Sequence, residues 1–206
     1  MDRAEPEMNR ADRRRAWEEL SATYAARRDP EGSDAALIED LLARCPPEPT
    51  VVDIGCGDGA RTLANLPAGS VGVDFARRGL SLATEEVPAA RLVQGEMTTL
   101  PLAASVADGI TAYHAVFHVP REQQPAVYDE FARVLKPGGS LLCTLPGGRF
   151  ETVRRGWMGG SMFFSAPGRE RTLQQLRDAG FEIIETPQAT DPLGSSTEFV
   201  LADLAE

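Results

Sequence analysis

Val51-Val52-Asp53-Ile54-Gly55-Cys56-Gly57-Asp58-Gly59 is the stretch on which the fold of this chain turns. Thr50–Ile54 is a short apolar run closed by a glycine loop, the pattern of a parallel strand buried on both faces. Closely spaced glycines after such a strand, followed by a helix, let the backbone pass close to a bound nucleotide. A Gly-rich turn can be no more than a turn, so the acids around this one carry the argument. A dinucleotide would set a doubly negative pyrophosphate on the loop, where Asp53 and Asp58 oppose it.

Downstream, Val71–Asp74 is a second strand, and Asp74 ends it 19 residues after Gly55. An acid there is placed to accept hydrogen bonds from ribose hydroxyls. A ligand with a ribose, an ammonium and a sulfonium, but no phosphate, suits both features. S-adenosylmethionine is such a ligand.

The same grammar continues on both sides. Arg77–Glu86 reads as a helix, Arg91–Gln94 and Gly109–Tyr113 as the third and fourth strands, and Glu122–Leu135 as a long helix with Val127, Tyr128, Phe131, Val134 and Leu135 on one side. Lys136-Pro137-Gly138-Gly139 stops that helix and Ser140–Leu145 is the fifth strand. Strands alternating with helices imply right-handed crossovers and a mainly parallel sheet. After Pro146 a glycine- and arginine-rich stretch to about Gly168 reads as a flexible excursion. Glu170–Ala179 is helical with Gly180 as its cap, and Phe181–Glu185 and Thr197–Ala202 read as the last two strands. Upstream, Trp17, Leu20 and Tyr24 form the apolar stripe of a short helix, and Asp29-Pro30-Glu31-Gly32 breaks it. Leu37, Ile38, Leu41 and Leu42 mark a second helix, ended by Pro46-Pro47-Glu48-Pro49. The 206 residues suit one domain, divided into a helical cap and linker over 1–48, a cofactor-binding core over 50–146 and an acceptor-side portion over 147–206.

Composition narrows the setting. The net charge is −10, and Lys136 is the only lysine among the basic residues. Acid excess with lysine poverty favours a halophile over a merely GC-rich genome, and it disfavours nucleic acid as a partner. No apolar stretch approaches the roughly 18–20 residues of a membrane span, and the charged N-terminus lacks the apolar core of a secretory signal. A cytoplasmic protein is expected. Cys45, Cys56 and Cys143 lie far apart without a CxxC pair, so reduced thiols are expected rather than disulfides or zinc.

The ordered segments VVDIGCGDG, VGVDF, QGEMTTLPL, VADGITAYHAVFHV and VLKPGGSLLCTLPG resemble the class I S-adenosylmethionine-dependent methyltransferases, in particular their small stand-alone branch. The likeness covers about residues 50–146, and the tail MFFSAPGRERTLQQLRDAGFEIIE resembles that branch's closing helix and strand. It implies a Rossmann-like α/β sandwich whose seven-stranded, mostly parallel sheet has the order 3-2-1-4-5-7-6, with strand 7 antiparallel. It also implies cofactor roles. Asp53 and the backbone of Gly55, Cys56, Gly57 and Gly59 would bind the methionine end, Asp74 the ribose, Phe75 the adenine face, and Glu96 and Met97 the adenine edge and ring. Glu96 is one methylene longer than the aspartate more common there. Tyr24 and Arg28 match a region that closes over the methionine part, with Arg28 placed to pair with its carboxylate, and His114 falls against the sulfonium.

The only two histidines, His114 and His118, lie four apart near the end of the fourth strand, the edge where open α/β sheets bind ligands. With no third ligand nearby, a metal is not expected. His114 is the candidate base or acceptor-orienting group, while His118 suits a structural hydrogen bond in the acceptor region. Tyr113-His114-Ala115-Val116 stands where methylases of adenine or glutamine nitrogens carry an Asn-Pro-Pro-Tyr type motif, which disfavours those acceptors. Arg154, Arg155 and Trp157 are candidates for an acceptor pocket that takes an anionic or aromatic molecule, or a partner. Some relatives act with a small zinc-binding activator subunit, and the edge strand Arg91-Leu92-Val93-Gln94 is where it would pair. Such a partner would make tRNA or a translation protein a candidate acceptor, beside a small metabolite. Two alternatives stay open: a non-catalytic cofactor-binding regulatory module, and a nicotinamide-dependent oxidoreductase on the same fold.

Overall fold

The computed structural model describes residues 8–28, 33–190 and 196–206; the expected break at Asp29–Gly32 lies outside them. In chain order the elements are α1 (Arg10–Arg27), α2 (Ala36–Arg44), β1 (Val51–Ile54), β2 (Val71–Asp74), α3 (Arg77–Glu86), β3 (Arg91–Gln94), β4 (Ala107–Ala112), α4 (Gln124–Val134), β5 (Leu135–Leu145), β6 (Arg149–Trp157), β7 (Gly160–Pro167), α5 (Arg169–Asp178), β8 (Phe181–Glu185), β9 (Gln188–Thr190) and β10 (Ser196–Leu204). The main sheet runs β3-β2-β1-β4-β5-β10-β8, with short β9 beside β10. β1 to β5 pair in parallel and β10 is antiparallel to both neighbours. That is the expected order, with β8 and β10 as the sixth and seventh strands of the main path.

The strands are buried on both sides, and their two-residue period divides the core. Val52, Ile54, Ile110, Ala112, Leu141 and Cys143 pack with Val127, Tyr128 and Phe131 of α4 and Leu173 and Leu176 of α5. Val51, Leu142 and Leu201 belong to the other layer, with Ile38 and Leu41 of α2 and Phe199. Asp53 and Thr111 alternate to that second side, which matters for the site.

Two expectations need correction. No α-helix follows the glycine loop; the link to β2 contains a single 3-10 turn, Leu63–Asn65. Thr62 gives its hydroxyl proton to Asp53, the Asn65 side chain bonds the Arg61 carbonyl, and Arg61 is buried. These local bonds hold the chain in turns, and Pro67 ends any continuation. The second correction concerns residues 149–167, which form an antiparallel hairpin, β6–β7, whose register shifts between Arg155 and Trp157. Its tip, Met158-Gly159, has φ of 53° and 92°, positive at both positions as a two-residue hairpin turn with the right-handed strand twist requires. The hairpin packs on α1 through Ala16, Leu20, Met162 and Phe164.

Candidate active site

The C-terminal ends of β1, β2 and β4, roofed by α1, enclose a cavity of about 710 Å³. At its floor the Gly55 and Cys56 N–H groups both donate to the Val73 carbonyl, 2.7 and 3.1 Å away. Gly55 has φ +75°, and a Cβ there would sit 2.4 Å from the Ala115 Cβ. Gly57 has φ +55° and open space where its Cβ would be. The first glycine is thus required by packing, and the second presents bare backbone to whatever fills the cavity.

Asp74 organises the loop. Its Oδ2 accepts from the Gly57 N–H at 2.9 Å, and its Oδ1 accepts from Ala76 at 2.8 Å, at the start of α3. A carboxylate offers about four lone-pair positions, so acceptor capacity remains for a ligand donor. Burial pushes its pKa up to about 6, opposed by the Ala76, Gly57 and Phe75 N–H groups and helped by the Glu18 charge. Phe75, Glu96 and Met97 line the same cavity.

α1 is fastened over the opening by three polar contacts. Both Glu18 carboxylate oxygens accept from the first turn of α3, from the Arg77 and Arg78 N–H groups at 2.8 Å each. Arg10 pairs with Glu96 at 2.9 Å. Arg28 donates to Asp58 at 2.7 Å, with both side chains 11% exposed. Arg28 therefore reaches the methionine end of the cavity already tied to Asp58, and only its remaining N–H groups can meet a ligand carboxylate.

Several expected cofactor residues come together here: Gly55, Gly57, Asp74, Phe75, Glu96, Met97, His114, Tyr24 and Arg28 all line the cavity. Asp53, Cys56 and Gly59 do not. Asp53 accepts from Thr62 and from Thr111 (2.8 Å) and is 1% exposed. Strand alternation turns it into the α2-side layer, so its effect on the loop is indirect. Asp58 is the loop acid that faces the cavity. Sequence reasoning took Trp17 for part of a core stripe, whereas it lines the cavity; the signal was a stripe richer in aromatic than in aliphatic residues. Glu18, which has no motif, gave no such signal.

Burial pushes Asp53 up to about 6, against the lowering effect of its two hydroxyl partners. Because the folded value lies above the unfolded one, the cost of ionising Asp53 is absent near pH 4, grows as pH rises, and is fully present above about 6. Asp53→Asn should therefore gain stability relative to the unmodified chain between pH 4 and pH 7. Urea midpoints measured across that range test it, and a difference that does not change with pH would contradict it.

A second cavity, of about 590 Å³, adjoins the first, and Trp17, Tyr24, His114 and His118 line both. His114 follows β4 at φ 51°, its N–H held by the Thr144 hydroxyl at 2.7 Å. Non-glycine residues seldom adopt that region, although His does so more readily than most. His118 packs against Trp17, Phe117 and Phe164, with centroids 4.7–5.1 Å apart. Its Nδ1–H donates to the Phe163 carbonyl at 2.9 Å, and burial lowers its pKa to about 4, so it is neutral near pH 7. Arg154 and Trp157 line the second cavity and Arg155 lines neither; both arginines are exposed. Among the described residues β3, the expected partner strand, pairs only with β2. Among the described residues no group of three or more His, Cys, Asp or Glu is placed to hold a metal, and no helix is long and apolar enough to cross a membrane.

A family model described as a methyltransferase domain matches residues 52–143. The demethylmenaquinone methyltransferase of Bacillus licheniformis is 34% identical over 110 residues, which are 50% of this chain and 47% of that protein. The matched stretch thus spans about half the length of such a relative. The Burkholderia thailandensis 1,6-didemethyltoxoflavin-N1-methyltransferase, solved with 1,6-didemethyltoxoflavin and S-adenosylhomocysteine bound, is similar with a TM-score of 0.72 and 15% identity, over 98% of this chain and 93% of that one. The Haloferax volcanii complex of the Trm112 methyltransferase activator with a methyltransferase is similar with a TM-score of 0.69 and 19% identity, over 95% of this chain and 97% of that one. At these identities the likeness is one of fold.

Proposed function

We propose that this chain, whose residues 52–143 match a methyltransferase domain, is a class I, Rossmann-like, S-adenosylmethionine-dependent methyltransferase that transfers a methyl group from S-adenosylmethionine to an acceptor seated in the second cavity. The observation that carries the proposal is Asp74: a carboxylate with acceptor capacity to spare, set between a glycine loop and a helix start and facing a cavity large enough for a nucleoside. Of the acids that line that cavity, Asp58 is paired with Arg28 and Glu96 with Arg10, so Asp74 is the one whose acceptor capacity is left to a ligand.

The cofactor, when bound, supplies a sulfonium methyl activated for in-line displacement. The protein's part is alignment, which contributes on the order of 7–11 kcal/mol when reacting atoms are held in place. Asp74 would orient the ribose, Phe75 and Met97 would meet the adenine, and Asp58 and Arg28 would hold the methionine end. Cys56 and Gly59 support the loop from behind. His114 stands where the two cavities meet, so it orients the acceptor or takes its proton. His118, Arg154 and Trp157 shape the acceptor side, and Arg155 flanks them. A strand from a small zinc-binding activator would pair at the edge of β3, over Arg91–Gln94, which among the described residues is paired on one side; that a neighbour in fold was solved with an activator supports testing for such a partner.

Calorimetric titration of the chain purified alone, with S-adenosylmethionine and with NADH as control, tests the reading in low and near-molar salt. Saturable binding of the first only is expected. NADH binding would point to hydride transfer instead, and binding of neither would contradict an independent cofactor site. For His114, Asn is the informative substitution, since it tolerates the left-handed backbone. With an acceptor that turns over, His114→Asn should lower kcat by about 10²–10⁴ if the imidazole takes a proton, while cofactor affinity stays within about threefold. Full turnover with an unaltered pH profile would remove His114 from the chemistry.

A further inference from the structure

The walls of the second cavity are aromatic: Trp17, Tyr24, Phe117, Phe150, Trp157 and Phe164 all face it. Its charged groups are fewer. Glu198 is one, and its carboxylate is chelated by Arg169, whose Nε reaches both oxygens at 3.0 and 2.9 Å and whose Nη2 reaches one at 2.9 Å. That negative charge is neutralised from outside the cavity. Arg154 is the other. Its guanidinium carbon lies 4.7 Å from the Phe164 ring centroid, and among the described residues it has no carboxylate partner. The two histidines complete the set: His118 is occupied by the Phe163 carbonyl, and His114 faces the cofactor side as well.

An aromatic enclosure alone would suit either a flat ring or a cationic amine. The charges decide between them. A cationic ligand would meet the Arg154 charge and find the one acid already chelated, whereas an anionic group would give the guanidinium the carboxylate it lacks among the described residues, while its face stays on Phe164. We infer that the acceptor is a small aromatic acid, its ring against the aromatic wall that Trp17 and Trp157 build together and its acidic group on Arg154. This rests on the reading of the second cavity as the acceptor site. A volume of about 590 Å³ admits one ring system with substituents.

The chain's two tryptophans both line this cavity, with ring centroids 5.8 Å apart, so intrinsic fluorescence reports on its occupancy. The test is quenching by 4-nitrobenzoate, 4-nitrobenzyl alcohol and 4-nitrobenzylamine, in the presence of saturating S-adenosylhomocysteine. 4-Nitrobenzoate should quench saturably and bind at least about tenfold more tightly than the alcohol or the amine, the scale of one charge-assisted hydrogen bond. Arg154→Gln should erase that preference, Arg154→Lys should keep part of it, and Arg155→Gln should leave it unchanged. Three outcomes overturn the inference: alcohol or amine binding as tightly as the acid, a preference that survives Arg154→Gln, or no saturable quenching by the acid up to its solubility limit. An equal loss for acid and alcohol in Arg154→Gln would reduce Arg154 to packing on Phe164, and would overturn it as well. Calorimetry with S-adenosylhomocysteine separates the two levels. If that nucleoside binds and the acid does not, the acceptor inference fails alone; if the acid binds and the nucleoside does not, the methyl-transfer reading fails and the anion site stands.

Discussion

Asp74→Ala is expected to weaken S-adenosylmethionine binding by at least about a hundredfold, because two hydrogen bonds to an ionised acceptor are lost, each contributing roughly 1.5–3 kcal/mol. The same change strips the acceptor from the Gly57 and Ala76 N–H groups, which loosens the loop and the start of α3. Asp74→Asn separates the two effects, since its one carbonyl oxygen can retain part of the loop bonding while the negative charge is gone. The charge also sets a pH dependence. Hydroxyl donors on the ligand favour the ionised carboxyl, and the free site titrates near pH 6, so affinity should hold above that value and decline as pH falls through it. In Asp74→Asn the decline should vanish. Calorimetry between pH 5 and pH 8 measures this, with thermal unfolding as the control for loop damage. An affinity in Asp74→Ala within a few-fold of the unmodified chain would remove Asp74 from the site.

Gly55→Ala is expected to destabilise the chain by about 2–5 kcal/mol, combining a left-handed backbone imposed on alanine with overpacking of a filled core. The clash is specific. The new Cβ would lie 2.4 Å from the Ala115 Cβ, with Ala115 on the segment just after His114. Relief requires β1 and the β4 end to separate, which moves the cofactor loop away from the wall between the two cavities. Urea unfolding and cofactor titration should therefore both respond. Gly69→Ala is the matched control: its φ is +87°, but no atom lies within 4 Å of the added carbon, so only the backbone cost of roughly 1–2 kcal/mol applies. Equal losses at the two glycines would show that the contact with Ala115 carries nothing.

Much of this was legible from residues close together in sequence. The run Val51–Gly59, the acid at Asp74, and the helix stop at Lys136–Gly139 are local signals, and the strand order expected from the resemblance is the one observed. Local signals also misled where competing local bonds won. The segment after Gly59 is held in turns by Asp53, Thr62 and Asn65, and the Gly- and Arg-rich stretch after Pro146 closes as a hairpin because Met158-Gly159 supplies its turn. In the site itself the nine cavity-lining residues expected from sequence stand beside others that carried no motif.

The amino-acid sequence by itself determined the parallel sheet, the glycine loop and the acid that ends β2, because strand periodicity, turn chemistry and the close approach of backbone to ligand are properties of neighbouring residues. Only the tertiary structure decided which acids face the cavity. Strand alternation turns Asp53 into the core, while Asp58 meets Arg28 from 30 residues away. It also decided that Glu18 reaches the start of α3 across 59 residues, that Trp17 and Trp157 meet, and that Arg154 lies on the Phe164 ring. Such pairings depend on where crossovers and α1 bring distant segments together, and electrostatic and packing energies act on distance in space, not on separation along the chain.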